Sequence, residues 1–269
     1  QADVVMIHMP FPLADLACLL SGYRGRVVLA WHSDVIKQKT LLRFYAPLLR
    51  WLLRRADCIL TATQGHIDSS AFLPVVREKC KVIPYGIDLA AYRAAPAYPV
   101  LQPHSNHPKA VKALFVGRLV YYKGVTVLLK AMQQVQNCEL FLIGSGKLQD
   151  TLQQMAEGMD TVHFLGSLSD ADLRAALQEC DFLVLPSVAN SEAFGLVQLE
   201  AMVYGKPVIN TALPTGVPHV SLDGETGLTV PPESETALAK AMQTLVSDAD
   251  LRSKYGAAAK KRVETVFAE

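Results

Sequence analysis

Two glutamates in the last third of the chain, Glu192 and Glu200, stand with seven residues between them in the stretch PSVANSEAFGLVQLEAMVYGK, residues 186–206. FLVLP before it reads as a buried strand running into a loop. Leu196, Val197, Leu199, Met202 and Val203 then recur at helical intervals, so a helix is expected to start near Gly195. That places Glu192 in the loop and Glu200 in the second helical turn. Free backbone N–H groups at a helix start attract anions. A diphosphate resting there, with the flanking carboxylates taking sugar hydroxyls, is the chemistry this spacing would serve. An isolated pair of acids on an α/β loop is more commonly just solvated, so other residues have to carry the argument.

Several do. Gly117-Arg118 closes one strand and Lys123-Gly124 opens the next helix, which sets two cations at the mouth of a sheet. Arg would meet a diphosphate with a planar fork and Lys as a point charge, although either alone would be an ordinary surface residue. Gly144-Ser145-Gly146 ends another strand. It is not the full dinucleotide fingerprint, because Gln149 occupies the third glycine position, and a tight turn explains it more readily than a ligand does. His32, two residues before Asp34, ends a strand in the first half. The chain is read as lacking an Asp-x-Asp metal motif, so no metal site and no obligatory divalent ion are expected.

The elements that must hold these residues alternate between strand and helix. Before residue 93 the strands VVMIH, RVVLAW, CILTAT and KVIPY are separated by helical sequence, including a long helix over 37–56. From Arg93 to Lys109 the pattern dissolves into proline, alanine and polar residues, which reads as a linker. ALFVG, ELFLIG, TVHFLG, DFLVLP and KPVIN then alternate with helices to the end. This predicts an α/β protein of two doubly wound Rossmann-like domains, 1–100 and 101–269, facing a shared cleft at the carboxyl ends of their strands. Four strands before the linker are fewer than such a domain usually holds, so the first domain is expected to be incomplete, without an opening segment.

Apolar residues make up 51% of the 269 and charged ones 19%, the balance of a well-cored globular chain. A net charge of +1 provides no field for nucleic acid. Five scattered cysteines form no CxxC pair and fit a reducing compartment, hence a cytoplasmic location. The helix over 37–56 carries Lys37, Lys39, Arg43, Arg50, Arg54 and Arg55 and no acid. It reads either as a core helix with a solvated basic edge or as a docking element for anionic lipid at the inner face of a membrane.

In order along the chain, GRLVYYKG, LIGSG, FLG, SEAFGLVQLEAM and GETGLTVPP resemble the C-terminal half of GT4-type retaining glycosyltransferases of GT-B fold, and YGID and WHSDVIKQK look like that family too. The resemblance covers essentially the whole chain and implies transfer of a hexose from a nucleoside diphosphate sugar to an acceptor hydroxyl with the anomeric configuration kept. By resemblance Arg118 and Lys123, beside Gly117, would hold the donor diphosphate. Glu192, Ala193, Phe194, Gly195 and Leu196 would meet the sugar hydroxyls and Glu200 the ribose. Leu165 and Gly166 would lie near the base, Gly144 and Gly146 in the donor site, and His32 would reach the transferred sugar.

The resemblance implies no cofactor beyond the donor itself, GDP-mannose or a UDP-sugar. The implied acceptor is a saccharide or lipid-linked saccharide of surface polysaccharide or glycolipid synthesis, with a lean toward mannosyl-type enzymes. The family's opening strand and glycine-rich loop are not among these residues, and its last helix ends early at Glu269. The rival expectation is therefore a truncated or degenerate module that binds a nucleotide sugar without transferring it.

Overall fold

The computed structural model describes residues 2–34, 39–95 and 97–268. The chain divides into two compact units, 1–85 together with 214–216, and 86–213 together with 217–269.

The first unit runs β1 (Val4–Met9), α1 (Pro12–Leu20), β2 (Arg26–Trp31), α2 (Lys39–Arg55), β3 (Cys58–Thr61), α3 (Gln64–Ser69) and β4 (Cys80–Val82). Its four strands form one parallel sheet in the order β1-β2-β3-β4. Ile7 stands opposite Leu29, and Leu29 opposite Ile59, so one row of β-branched and leucine side chains crosses the sheet inside the core. Against it α2 buries Leu49, Leu52, Leu53 and, at its end, Ala56. Arg43, Pro47, Arg50 and Arg54, spaced by four, three and four, lie exposed along another face, with Phe44 78% exposed beside them. Arg55 turns elsewhere, onto the Gly25 carbonyl and the Asp57 carboxylate. Lys37, counted in the basic helix from the sequence, lies outside the described residues.

The second unit holds α4 (Leu89–Arg93), β5 (Val111–Val116), α5 (Val125–Met132), β6 (Cys138–Ile143), α6 (Gln149–Met155), β7 (Val162–Gly166), α7 (Asp170–Glu179), β8 (Phe182–Val184), α8 (Val197–Val203), β9 (Val208–Thr211), α9 (Val217–Val220), β10 (Gly227–Val230), α10 (Glu235–Ser247) and α11 (Ala249–Arg262). Its six parallel strands take the order β10-β9-β8-β5-β6-β7. Helices cover both faces, so β6 is buried at all six positions and reads as an almost unbroken apolar run. β5 and β8 pair side by side although they are far apart in sequence. From that pair the chain winds one way through β6 and β7 and the other through β9 and β10. A reversal of this kind leaves a crevice at the carboxyl ends of the two central strands.

The proline-rich stretch read as a linker is held to the second unit by two carboxylates. Glu179 accepts from the backbone N–H of Val100, Leu101 and Gln102 at 2.7, 2.6 and 2.7 Å and pairs with Lys112 Nζ at 2.6 Å. Glu139, fully buried in β6, accepts from Ser105 Oγ at 2.5 Å, from the N–H of Asn106 and His107, and binds His163 Nε2 at 2.9 Å. Composition alone could not show this, because both anchors lie far downstream.

Among the described residues no helix is long and apolar enough to cross a membrane.

Candidate functional site

The crevice between β5 and β8 is where two sequence-predicted groups meet. β5 delivers Gly117 and Arg118, after which a tight turn at Tyr121–Lys123 brings Lys123 back over the strand end. β8 delivers Pro186, Ser187 and the loop that carries Glu192. Lys123 Nζ lies 2.6 Å from Glu192 Oε2, and both side chains are largely buried, 13% and 10% exposed. Ser187 Oγ, itself fully buried, donates to the same Oε2 at 2.9 Å. Thr211 on β9 donates to the Ser187 carbonyl at 2.6 Å and so fixes the backbone beneath it.

Local backbone explains the approach. Gly124 has φ +69°, and a Cβ there would run into the Pro186 carbonyl oxygen, so only glycine lets the Lys123 turn close onto the Glu192 loop. Val188 N–H then donates to the Tyr122 carbonyl at 2.8 Å and ties the two loops together. The Tyr122 side chain, which the sequence reading passed over, sits between the cations. Its hydroxyl accepts from Arg118 Nη2 at 2.8 Å and its ring lies 5.8 Å from Lys123 Nζ. Arg118 is otherwise exposed.

The helix after Glu192 begins at Val197, later than expected, because Gly195 takes φ +75° and interrupts the helical path. Glu200 therefore falls in the first turn, not the second. α8 is seven residues long. Gln198, fully buried, donates to the Phe194 carbonyl at 2.9 Å, and Asn210 on β9 donates to Gln198 Oε1 at 2.9 Å. This buried polar network holds the turn that the sequence shows only as Phe194-Gly195. The Phe194 ring is buried edge-on to Phe267, 6.1 Å between centroids, while Ala193 is half-buried and Leu196 exposed.

Glu200 faces Tyr92 of α4 and Arg174 of α7. Burial pushes its carboxyl above the usual range, partly offset by a hydrogen bond with the Tyr92 hydroxyl and by the charge of Arg174. Arg174 stacks 4.7 Å from the Tyr92 ring centre. Gly144 and Gly146 pack their backbones against the carbonyls of Gly117 and Leu119, so both shape the β5 loop from the β6 side. Leu165 and Gly166 end β7, where the Gly166 carbonyl accepts from Gly144 N–H at 2.7 Å.

In the first unit His32 follows β2 directly, and its pKa is lowered by burial and by neighbouring His8. His8, at the end of β1, had no sequence signal beyond its residue type.

Two Asp-x-Asp triplets, Asp170/Asp172 and Asp248/Asp250, do occur, contrary to the sequence reading. Each opens a helix. Asp172 accepts from Ser169 Oγ at 2.6 Å and Tyr98 at 2.7 Å, and Asp248 caps α11 through Leu251 N–H at 2.8 Å. Among the described residues no group of three or more metal-ligating side chains forms.

Residues 101–262 match the family described as Glycosyl transferases group 1, and residues 1–91 match Glycosyltransferase Family 4. D-rhamnosyltransferase WbpZ of Pseudomonas aeruginosa is 38% identical, across 99% of this chain and 70% of that protein. O-antigen chain mannosyltransferase C of Escherichia coli is 31% identical, across 98% of this chain and 71% of that protein. Anabaena Alr3699/HepE, crystallised in complex with UDP, shares the fold with a TM-score of 0.82 at 23% identity, covering 98% of this chain and 74% of that one. Two parallel-sheet α/β units of this topology are the GT-B architecture. The chain belongs to the group 1, family 4 glycosyltransferases, and is a glycosyltransferase by membership.

Proposed function

We propose that the protein transfers a hexose, with retention of anomeric configuration, from a nucleoside diphosphate sugar to a hydroxyl of a saccharide or lipid-linked acceptor in surface polysaccharide or glycolipid synthesis. The observation that carries this is the Lys123–Glu192 pair at the β5/β8 crevice. It sets a cation for phosphate beside a carboxylate for sugar hydroxyls, where a parallel sheet reverses its winding. The relatives named for mannosyl and rhamnosyl transfer support the choice of sugar class.

In this reading Arg118 and Lys123 neutralise the diphosphate as the glycosidic bond breaks. Glu192 and the backbone of 193–196 hold the sugar, Glu200 takes the ribose, and the end of β7 at Leu165 and Gly166 meets the base. Gly144 and Gly146 shape the phosphate loop, and His32 serves the transferred sugar from the first unit. The departing phosphate accepts the proton of the attacking hydroxyl, so no protein nucleophile is required. Charge builds on the leaving oxygen in the transition state, so preplaced cations act on the barrier more than on binding. Because cations of the chain do this work, activity is expected to persist in excess EDTA.

The exposed arginines of α2 would hold the enzyme at the inner face of an anionic membrane, each adding about 1 kcal/mol near the surface. Donor turnover by Arg118→Ala and Lys123→Ala tests the reading. Each is expected to lower turnover about a hundred- to a thousandfold, with much less effect on the Michaelis constant for donor. Glu200→Ala is expected to act mainly on donor affinity. Near-normal turnover in both cation variants would move the site elsewhere.

A further inference from the structure

Glu200 ends a built arrangement of side chains from α4, α7 and α8, all within the second unit. α4 is only five residues long, too short to hold itself as a helix, and side chains of the other two elements fasten it. Arg174 Nη1 of α7 donates to the Ala91 carbonyl at 2.9 Å, and the Tyr204 hydroxyl, just past α8, donates to the Tyr92 carbonyl at 3.0 Å. Asp88 caps the short helix through the N–H groups of Ala90 and Ala91 at 2.9 and 3.2 Å. The Tyr92 ring lies against the Arg174 guanidinium, 4.7 Å from the ring centre, and against Tyr204, 6.0 Å between ring centres. Backbone and ring of Tyr92 are thus both fixed, and its hydroxyl is hydrogen-bonded to Glu200.

The chemistry of that contact runs one way. Burial and the adjacent Glu200 charge hold the phenol above its usual pKa, so the hydroxyl donates and the carboxylate accepts. A carboxylate offers about four acceptor positions, and one phenol occupies one of them. The remainder suits a vicinal diol, which presents two hydroxyl donors side by side. Glu200 is half-buried, so the carboxylate stays within reach of a ligand. Burial by itself favours the neutral carboxyl, which would put a donor where an acceptor is needed. The Tyr92 hydrogen bond and the Arg174 charge act against that. The phenol also restricts a long side chain that would otherwise sample several rotamers.

We propose that Tyr92, supported by Arg174, is a positioning residue that orients the Glu200 carboxylate toward the ribose hydroxyls of the donor nucleotide. The proposal rests on the reading of Glu200 as the ribose contact and gives that contact its support. A phenylalanine at residue 92 would fill the same space beside Arg174 and Tyr204 but could not orient the carboxylate.

Titration calorimetry of GDP, UDP and their 2′,3′-dideoxy forms compares wild type, Tyr92→Phe, Glu200→Gln and the double variant Tyr92→Phe/Glu200→Gln, with circular dichroism to confirm folding. The quantity read is the ratio of ribonucleotide to dideoxynucleotide affinity. Wild type is expected to prefer the ribonucleotide by about ten- to a hundredfold, the scale of hydrogen bonds to a charged group. Tyr92→Phe is expected to shrink that preference by about three- to tenfold while dideoxynucleotide affinity stays at the wild-type level. In the Glu200→Gln background Tyr92→Phe is expected to change the ratio no further, because Tyr92 acts through the carboxylate.

An unaltered ratio in Tyr92→Phe, or an equal loss for both nucleotide forms, overturns the proposal and leaves Tyr92 as packing for α4. Wild type that binds a nucleotide without regard to its ribose hydroxyls also overturns it, by taking Glu200 away from the ribose, while the glycosyl-transfer reading stands. Wild type that binds neither nucleotide removes the proposal together with the donor assignment. If Tyr92→Phe does not fold, Arg174→Gln, which strips the stack from Tyr92 and the charge from beside Glu200, is read against the same two outcomes.

Discussion

Lys123 and Ser187 share a single carboxylate oxygen of Glu192: Oε2 takes the ammonium at 2.6 Å and the hydroxyl at 2.9 Å. Among the described residues no hydrogen bond to Oε1 is made, and the ammonium keeps two further N–H groups. The carboxylate also competes with any diphosphate for the lysine. Glu192→Gln is therefore expected to bind a sugar-free nucleoside diphosphate at least as tightly as wild type while its turnover falls. Calorimetric titration of GDP and UDP beside steady-state kinetics checks this, and weakened binding in parallel with lost turnover would contradict it.

The same pair bears on stability. Removing one partner of a largely buried ion pair leaves the other charge uncompensated. Lys123→Met is expected to cost about 3 kcal/mol in urea unfolding. The double variant Lys123→Met/Glu192→Gln should recover part of that loss, because no bare carboxylate remains. A double variant no more stable than Lys123→Met would show that packing, not charge, sets the cost.

His32 makes a prediction in pH. Burial and His8 favour its neutral form in the folded protein, so the unfolded chain binds the proton more readily. Stability from this residue is complete above the ordinary histidine value near 6.5 and is lost as pH falls through 6.5 toward the lower folded value. Wild type should thus weaken between pH 7.5 and about 5.5 more than His32→Gln does in the same urea titration. Parallel pH profiles would remove the assignment.

Glu179 makes an acid dependence of the same sign, from a carboxylate and at lower pH. Burial raises its pKa, but the Lys112 pair and the N–H groups of Leu101 and Val100 outweigh that and hold it below the usual carboxylate range. Its contribution is present above the ordinary glutamate value and disappears as pH falls through the depressed folded value. Glu179→Gln is expected to cost about 2 kcal/mol, since hydrogen bonds to a charged group are the stronger kind. Cleavage between residues 94 and 110 in limited proteolysis should rise with it. Unchanged protection of that segment would mean the carboxylate does not hold it.

The exposed face of α2 gives a fifth outcome. Arg50→Glu/Arg54→Glu is expected to abolish flotation with anionic liposomes while leaving turnover of soluble donor near wild type. Wild-type flotation that ignores anionic lipid would return the helix to a plain core element.

Strand and helix order could be read from the chain by itself, because buried parallel strands such as CELFLI and LFV are nearly unbroken apolar runs between polar, glycine-marked turns. Arg118, Lys123, Glu192 and Glu200, the residues proposed for diphosphate and sugar, could be picked out for the same local reason, as they stand at predicted strand ends and helix starts.

Partnership was not legible. That Lys123 spends itself on Glu192 follows from β5 lying against β8, a pairing across more than sixty residues of sequence, and that Thr211 holds the Ser187 carbonyl follows from β9 lying beside β8, whereas Ser187 meets Glu192 and Tyr122 meets Arg118 within single loops. The start of α8 was misplaced because a left-handed glycine interrupts apolar spacing without altering it. The stretch 93–109 read as a linker because the carboxylates that fasten it, Glu139 and Glu179, lie on a later strand and a later helix. His8 carried no local mark at all. Its contact with His32 depends on adjacent parallel strands, and only the folded sheet determines which side chains share an edge.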